Sequence, residues 1–317
     1  MTGQPRPAGP SRAALATAQL GINQILWAND DLPELNPPID AEAILDEMAR
    51  LGFKGSQLGT TFPRGERLRD ALAARDMRIA EVYTTIECTA DGPVDGALEA
   101  ARESLEELCA ADGDVLVPAV GQSHERARVA GRANEPRVPR LTDEGMARLA
   151  GLLDALGGET RAAGRILAFH HHGGTYVETP DELEQLMAAT DPEVVGICLD
   201  TGHYLMGGGE PVTALRRYGE RVRHVHLKDI DPGVLARMHT GELGGFLAGI
   251  RERVFTEVGS GSLDVSGVLA TLAGRDYRGW LIVEQDTSWH PPSESAAMSY
   301  GVVTFVLRNL DRRRMAA

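Results

Sequence analysis

The stretch that decides the fold is Arg165–Asp229, RILAFHHHGGTYVETPDELEQLMAATDPEVVGICLDTGHYLMGGGEPVTALRRYGERVRHVHLKD. It contains three short apolar runs that are separated by two helical segments. Apolar runs of this length that alternate with helices are typical of parallel strands joined by crossover helices. The predicted strands are 165–170, 194–200 and 222–226, and the predicted helices are 180–189 and 211–218.

The same alternation continues from this stretch towards both ends of the chain. Asp40 is expected to cap a helix that Gly52 ends, and Thr179 to cap the helix at 180–189. Eight strands, each followed by a helix, predict a (β/α)₈ TIM barrel that forms a single domain over 19–317. The other strands are predicted at 19–26, 55–58, 78–84, 114–120 and 280–284, and the other helices after Asp40 and at 66–75, 94–111, 142–163, 264–272 and 294–310.

Three segments depart from this pattern. Residues 1–18 combine Pro, Gly, Arg and Ala without a continuous apolar region, which predicts a disordered tail and no signal peptide. Residues 122–140 are polar and weakly patterned, which predicts a loop. Residues 230–259, after the seventh strand, are too long for an ordinary βα loop, and we expect them to form a lid-like insertion.

Composition excludes several classes of protein. With 32 Lys and Arg against 46 Asp and Glu, the formal net charge is −14, which argues against nucleic acid as a partner. No apolar run approaches the roughly 20 residues of a membrane span, so no membrane role is expected. The three cysteines form no CxxC pair, and an odd number fits no complete disulfide framework, which favours a reducing, cytoplasmic location.

Ionisable side chains cluster at the carboxyl ends of the last four predicted strands, where catalytic residues of TIM barrels lie. His170 and His172 share one face of the fifth strand, because side chains alternate along a strand. The sixth strand ends in Asp200-Thr-Gly-His203. In the seventh strand His224, His226 and Lys228 share a face, and in the eighth Glu284 and Asp286 do.

Imidazoles and carboxylates that converge from adjacent strands predict a site for a divalent transition metal. Such mixed ligands suit Mn, Fe, Co, Ni or Zn better than Ca or Mg. The predicted ligands are His170, Asp200, His226 and Glu284. Taken singly, each residue has a simpler interpretation: a hydrogen-bonded strand-end histidine, a turn capped by Asp200, or an ion pair between Glu284 and an arginine. Their joint position at the strand ends of one half of the barrel favours the metal site.

Other residues have two interpretations each. Lys228 is a candidate for proton transfer or for a salt bridge with Asp229 or Asp231. Glu178 is either a catalytic residue or a helix-start carboxylate that the helix dipole favours. Trp27, with Asn29 and Asp30, either lines a sugar pocket or packs at the rim. The glycines at 207–209 lack a nearby Lys or Arg, so we interpret them as a turn and not as a phosphate loop.

At these residues the chain resembles the xylose-isomerase-like barrel superfamily of sugar isomerases and epimerases, and within it the inosose dehydratases. The resemblance extends over most of the chain after residue 18. The Asp-Thr-Gly-His piece marks only the superfamily, whereas the triple histidine and the Asn-Asp-Asp near the first strand are more specific. The matching stretches are Trp27–Glu34 (WANDDLPE), Phe169–Thr175 (FHHHGGT), Ala189–Pro192 (ATDP), Leu199–His203 (LDTGH), His224–Asp229 (HVHLKD) and Val283–Asp286 (VEQD).

The resemblance implies a metal bound at the ends of the fifth to eighth strands by Glu, Asp, His and Glu. Asp200, His226 and Glu284 match the last three, while His170 stands where relatives carry the first Glu and Glu178 is the other contender. Mn²⁺ or Co²⁺ is the implied metal, with Zn²⁺ and Mg²⁺ as further candidates. The chain departs from the inosose dehydratases near Gly173, where they have Met or Ala, and fits loosely over 230–258. A homo-oligomer is expected by analogy.

The activity implied is the dehydration of a keto-cyclitol such as 2-keto-myo-inositol through an enediolate, by a metal-dependent lyase. Glu284 or Glu178 is the expected base, and His203 or Lys228 the expected acid. Isomerisation, epimerisation or keto-glycoside cleavage on the same barrel shares the first step and stays open, as does a non-catalytic barrel that binds a sugar. The expected substrate-binding residues are Trp27, Asn29, His172, His203 and Lys228.

Overall fold

A computed structural model of the chain describes residues 15, 19–29, 32, 34, 39–287 and 289–316, with side chains up to residue 310. The tail predicted for 1–18 lies outside the described residues apart from Leu15, which is buried. Asp30, a candidate for the sugar pocket, also lies outside them.

Eight parallel strands close into a barrel, which confirms the predicted fold class. Each strand pairs with the next along the chain, and the last pairs with the first through Gln19 to Ile22 alongside Trp280 to Val283. The strands are β1 (Gln19–Ile22), β2 (Gly55–Gln57), β3 (Arg78–Ile86), β4 (Val115–Val120), β5 (Ile166–His170), β6 (Val195–Asp200), β7 (Val222–Leu227) and β8 (Trp280–Val283).

Helices surround the barrel, and the predicted caps form. The Asp40 side chain accepts from the Glu42 N–H, and Gly52 ends that helix at φ 104°, a conformation that glycine adopts readily. Thr179 and Glu182 form a capping box. Apart from a four-residue helix at His124–Ala127, the helices are α1 (Ala41–Leu51), α2 (Glu66–Ala73), α3 (Ala97–Ala110), α4 (Asp143–Ala162), α5 (Pro180–Ala189), α6 (Thr201–Met206), α7 (Pro211–Tyr218), α8 (Pro232–His239), α9 (Phe246–Arg251), α10 (Val265–Gly274) and α11 (Pro292–Ala316).

Two local predictions differ from the structure. The first strand ends at Ile22 and not at Leu26, because the Asn23 side chain accepts from the Ile25 N–H and starts a 3₁₀ turn over Gln24–Leu26. The predicted loop over 122–140 contains a short helix, His124–Ala127, because the Ser123 side chain accepts from the Arg126 N–H and caps it. The Asp200 carboxylate accepts from the His203 N–H and caps α6.

The insertion after β7 folds as α8 and α9 between two short strands, Asp229–Ile230 and Phe255–Thr256, which pair antiparallel. Its apolar side chains form a cluster separate from the main core, together with Leu32, Ala130 and Met206. The buried Asp229 carboxylate accepts from three backbone N–H groups of the returning chain, at Gly259, Gly261 and Leu263. These contacts tie the insertion to the end of β7. Its action as a lid stays a prediction.

The main apolar core lies between the strands and the surrounding helices. Inside the barrel, a smaller apolar cluster around Trp280, Ile282 and Val117 fills the space between the strands. In the part of the chain that the structure describes, no helix combines the length and apolarity that a bilayer crossing requires. The barrel interior therefore has an apolar layer, and the ionisable side chains at the carboxyl ends of β5 to β8 lie outside this cluster.

Candidate active site

Four side chains converge at the carboxyl ends of β5 to β8. His170 is the last residue of β5, Asp200 the last of β6, His226 lies near the end of β7, and Glu284 directly follows β8. All four are buried, with Glu284 the most exposed at 7%. Strands that are adjacent in the barrel thus carry the four residues that the sequence predicts as a set.

The distances between their polar atoms suit a single small ion. Asp200 Oδ2 lies 3.5 Å from His170 Nε2 and 3.7 Å from His226 Nδ1. His226 Nδ1 in turn lies 2.7 Å from Glu284 Oε2. Ligand atoms of Asp200, His226 and Glu284 all fall within 4.8 Å of one another. Ligands at about 2.0–2.2 Å from one ion occupy such separations.

The hydrogen bonding of these atoms tests whether the residues fit a metal. Asp200 Oδ2, His226 Nδ1 and Glu284 Oε2 are buried and make no well-oriented hydrogen bond with the described residues. Polar atoms buried in this way are costly unless a ligand satisfies them. Two imidazoles and two carboxylates are a donor set for divalent transition metals. The residues present therefore fit a divalent ion.

Glu81, in the middle of β3, is a functional candidate that the sequence reasoning missed. Its carboxylate crosses the barrel and contacts both histidines of β7, with Glu81 Oε2 2.9 Å from His226 Nε2 and in hydrogen-bond contact with His224 Nε2. Burial alone would raise the pKa of Glu81, but the charges of His226 and His224 and their hydrogen bonds lower it to about 2. The available signal was a carboxylate between apolar residues, in Ile79-Ala-Glu-Val82, which needs a partner if it is buried.

Lys228 lies behind the carboxylates of the site. Its Nζ is 2.6 Å from Asp286 Oδ1, 2.9 Å from Glu284 Oε1 and 3.7 Å from Asp200 Oδ2. Burial would lower the pKa of Lys228, but these three carboxylates raise it well above its ordinary value. The Nζ also sits 4.5 Å from the ring centre of Phe255, a residue of the insertion. The lysine is therefore held as an ammonium ion, and Asp286 joins the site.

Two further histidines pack beside this lysine. His203 Nε2 lies 3.0 Å from Lys228 Nζ, and its Nδ1 accepts from the Gly173 N–H. The His172 ring packs against the His203 ring at a tilt of 36°, with centroids 3.8 Å apart. Burial lowers the pKa of His172 to about 3, so its ring is neutral. Because His172 Nδ1 lies 2.8 Å from the Gly173 carbonyl, that nitrogen carries the proton and Nε2 keeps its lone pair.

A cavity of about 360 Å³ opens over these residues. Residues from the second half of the barrel line one side, and neutral polar residues of β1 to β4 and their loops line much of the other. Within the second group, Asn23 Nδ2 donates to Gln57 Oε1 at 3.0 Å. The lining residues are Asn23, Ile25, Gln57, Tyr83, Thr85, Glu87, Val120, Gly121, Gln122, His170, His172, His226, Glu284 and Asp286.

A family model described as a xylose isomerase-like TIM barrel matches residues 18–300. The chain belongs to the xylose isomerase-like TIM-barrel family. Its relatives include the inosose dehydratases of Lacticaseibacillus casei and of Bacillus cereus strain AH820. The first is 34% identical over 283 residues, covering 88% of this chain and 94% of the relative. The second is 36% identical over 289 residues with the same coverage.

Solved structures share the fold of this family at low sequence identity. The structure of an L-ribulose 3-epimerase matches with a TM-score of 0.67 and 16% identity, covering 94% of this chain and 97% of that one. The probable 3-DHS dehydratase from Bacillus anthracis matches with a TM-score of 0.65 and 13% identity, covering 90% and 98%. At these identities the likeness establishes the barrel alone.

Within this xylose isomerase-like barrel, the structure places His170 and not Glu178 beside the other three candidate ligands. Both carboxylate oxygens of Glu178 accept backbone N–H bonds of 2.7 Å, one from Gly131 and one from Gly174. Among the described residues, Glu178 belongs to no group of converging ligand atoms. Its carboxylate joins the 122–140 loop to the segment after β5, so the geometry does not support it as the base.

Trp27 and Asn29 are placed differently from the prediction that they bind substrate. Trp27 is buried in the main core and donates from Nε1 to Glu47 Oε2 at 2.6 Å, because the 3₁₀ turn after β1 points its ring inwards. Asn29 accepts from the Leu32 N–H and donates to the Asp286 carbonyl oxygen. In the part of the chain that the structure describes, neither residue lines the cavity. Asn29 instead fixes the backbone of Asp286, which does line it.

Proposed function

We propose that this protein is a lyase that dehydrates a keto-cyclitol, with 2-keto-myo-inositol as the first candidate. The observation that carries the proposal is the buried set of two imidazoles and two carboxylates at the cavity, with an ammonium ion against the same carboxylates. Elimination of water next to a ketone needs a base, a proton donor and stabilisation of an oxyanion, and this set contains groups for each. The relatives named inosose dehydratases supply the substrate class.

We assign His170, Asp200, His226 and Glu284 as ligands of a divalent ion, with Mn²⁺ or Co²⁺ preferred and Zn²⁺ or Mg²⁺ as alternatives. Buried atoms of Asp200, His226 and Glu284 that make no well-oriented hydrogen bond with the described residues support this assignment. When bound, the ion supplies the Lewis acidity that favours loss of a proton next to the ketone.

The base in this proposal is Glu284. Its carboxylate lines the cavity, so it can take the proton from the carbon next to the ketone. Its Oε1 lies 2.9 Å from Lys228 Nζ, and this ammonium ion keeps the pKa of the Glu284 carboxyl low in spite of burial. The substrate carbon loses its proton to Glu284 and the electron pair moves towards the ketone oxygen.

The proton donor in this proposal is Lys228. The electron pair returns, the bond to the β-hydroxyl breaks, and that oxygen leaves as water. Its proton passes from Lys228 Nζ to the Asp286 carboxylate, 2.6 Å away, and from Asp286, which lines the cavity, to the leaving oxygen. The proton held on Glu284 then returns to Lys228 across their direct contact, which restores both groups. His203 orients Lys228 through its Nε2 contact and is a positioning residue here.

Substrate hydroxyl groups meet both sides of the cavity in this proposal. His172 Nε2, with its lone pair, accepts a hydrogen bond from one hydroxyl. The amide pair of Asn23 and Gln57 offers donors and acceptors to others. A ring that carries a hydroxyl on most carbons can form hydrogen bonds with neutral polar side chains such as these.

Epimerisation is the second candidate, because the fold is shared with an L-ribulose 3-epimerase. The first step is the same, and the difference is whether a proton returns to carbon or a hydroxyl leaves. Purified protein with Mn²⁺ and 2-keto-myo-inositol separates the two. Dehydration produces an ultraviolet-absorbing dione, whereas epimerisation in D₂O produces a deuterated stereoisomer without that absorbance. No change in either assay contradicts the proposal and favours a barrel that only binds a sugar.

We further propose a homo-oligomeric, cytoplasmic enzyme. All three cysteines are free, which suits a reducing compartment. Light scattering of the purified protein tests the oligomer, and a monomeric mass contradicts it.

A further inference from the structure

Glu81 is a carboxylate that reaches the site from the opposite half of the barrel. It lies in the middle of β3, and its side chain is fully buried. Glu81 and His226 are 145 residues apart in the chain, yet Glu81 Oε2 lies 2.9 Å from His226 Nε2. The barrel closure alone brings these groups together.

The two nitrogens of His226 face different groups. Its Nδ1 faces Asp200 Oδ2 at 3.7 Å and Glu284 Oε2 at 2.7 Å, on the ligand side. Its Nε2 faces Glu81 on the other side of the ring. Both nitrogens thus face carboxylates, and an ion bound on the ligand side decides between them. Such an ion takes the lone pair of Nδ1, and the one remaining ring proton then lies on Nε2, which donates to Glu81.

His224 shares the same acceptor oxygen. Its Nε2 contacts Glu81 Oε2 from two residues earlier on β7, and the two rings meet edge to face with centroids 5.3 Å apart. The second imidazole fixes the position of the carboxylate. Glu81, His224 and His226 could also surround an ion of their own, since their ligand atoms lie within 4.8 Å of one another. The number of ions bound per chain distinguishes these two arrangements.

We propose that Glu81, held by His224, is a positioning residue that fixes the tautomer and orientation of His226 so that Nδ1 binds the divalent ion. This inference rests on the metal site in the proposed function. Carboxylates that accept from the outer N–H of a metal-bound histidine raise its basicity as a ligand and limit its rotation. Their loss costs about 10- to 100-fold in metal affinity.

Two substitutions of Glu81 test the inference. Glu81→Met keeps much of the bulk and removes the acceptor, and we expect it to weaken Co²⁺ binding about 10- to 100-fold in competition with a chelator. Glu81→Gln keeps an acceptor oxygen, so its affinity should fall between Glu81→Met and the wild type. The visible spectrum of bound Co²⁺ should shift in Glu81→Met, because the His226 ligand is displaced.

The matched control is Glu182→Gln. Glu182 is also a buried carboxylate, and its Oε1 lies 2.8 Å from Nη1 of Arg126. This pair is separate from the candidate ligand atoms. This variant should lose thermal stability and keep the Co²⁺ affinity and spectrum of the wild type. A loss of affinity in Glu81→Met that exceeds the loss in the control separates positioning from a general effect on the fold.

The wild type provides a test that does not depend on folding of a variant. In Zn²⁺-loaded protein, ¹⁵N NMR should assign His226 as bound through Nδ1 and protonated on Nε2, with His226→Gln identifying the signals. Binding through Nε2, two ions per chain, unaltered Co²⁺ affinity in folded Glu81→Met, or no ion in the wild type would each overturn the inference. A chain that binds one ion in a Glu81-dependent way but leaves 2-keto-myo-inositol unchanged contradicts the proposed function alone.

Discussion

The two halves of the barrel contribute different chemistry to one cavity. Strands β5 to β8 supply histidines, carboxylates and a buried lysine, whereas Asn23, Gln57, Tyr83 and Thr85 on the other side are neutral. Buried charges are stable only when they are close to partners. Concentrating them on four adjacent strands provides those partners, and in the proposed function the other half is left to recognise hydroxyl groups. Two carboxylates of the first half depart from this division: Glu87 lines the cavity beside the neutral residues, and Glu81 is paired with histidines of β7.

The largest effect is expected at Lys228, which ties the charged half together. Lys228→Met removes the proposed proton donor and leaves three carboxylates without their ammonium ion, so kcat should fall about 10²- to 10⁴-fold. Breaking a buried pair also costs about 3–5 kcal/mol of stability, so kcat is measured well below the melting temperature. Lys54→Met, at an exposed pair with Asp76, is the control. Equal activity in both variants refutes the role of Lys228.

Metal removal should act on the charged half and lower stability. An ion that binds only the folded state at 100 times its Kd stabilises the protein by about 2.7 kcal/mol. Chelator should therefore lower the free energy of unfolding by about that amount in urea titrations, and Mn²⁺ should restore it. A chelator-treated protein as stable as the loaded one speaks against the ligand set.

A smaller effect is expected in the neutral half. Gln57→Leu removes the hydrogen bond to Asn23 and one polar group of the wall, so KM should rise about 10-fold, the equivalent of one hydrogen bond. Metal content and kcat should stay close to the wild type, because the wall lies opposite the ligands. Steady-state kinetics with 2-keto-myo-inositol measure both constants. A fall in kcat with KM unchanged would contradict the proposal that the neutral half binds substrate and the charged half carries out the reaction.

The smallest effect on activity is expected at Glu178. Burial raises the pKa of Glu178 from 4.5 to about 7, although two backbone N–H groups and Arg126 act in the other direction. The folded protein then holds this proton more tightly than the unfolded chain. The stability that Glu178 contributes therefore falls as the pH rises from about 4.5 to about 7. In Glu178→Gln, the free energy of unfolding from urea titrations should not show this fall between about pH 4.5 and 7. Its kcat should stay within a few-fold of the wild type, and a large loss of kcat would indicate that Glu178 is a catalytic residue.

Strand alternation and barrel topology were enough to predict the charged half. His170, Asp200, His226 and Glu284 each end a periodic apolar run, and the fold places the ends of such runs together. Glu81 was missed because it lies within its strand and its partners are more than 140 residues away.

Loop geometry explains the predictions that differ. The 3₁₀ turn after β1 points Trp27 into the core. Glu178 accepts a hydrogen bond from the backbone N–H of Gly131, which lies in the weakly patterned loop at 122–140. Neither arrangement leaves a periodic pattern in the sequence.

Metal content per chain tests the central claim most directly. Elemental analysis after equilibration with Mn²⁺ or Co²⁺ compares the wild type, Asp200→Ala from the charged half and Gln57→Leu from the neutral half. The account predicts one tightly held ion in the wild type and in Gln57→Leu, and only traces in Asp200→Ala. An Asp200→Ala chain loaded like the wild type, or a wild type without metal in the presence of both ions, would contradict it.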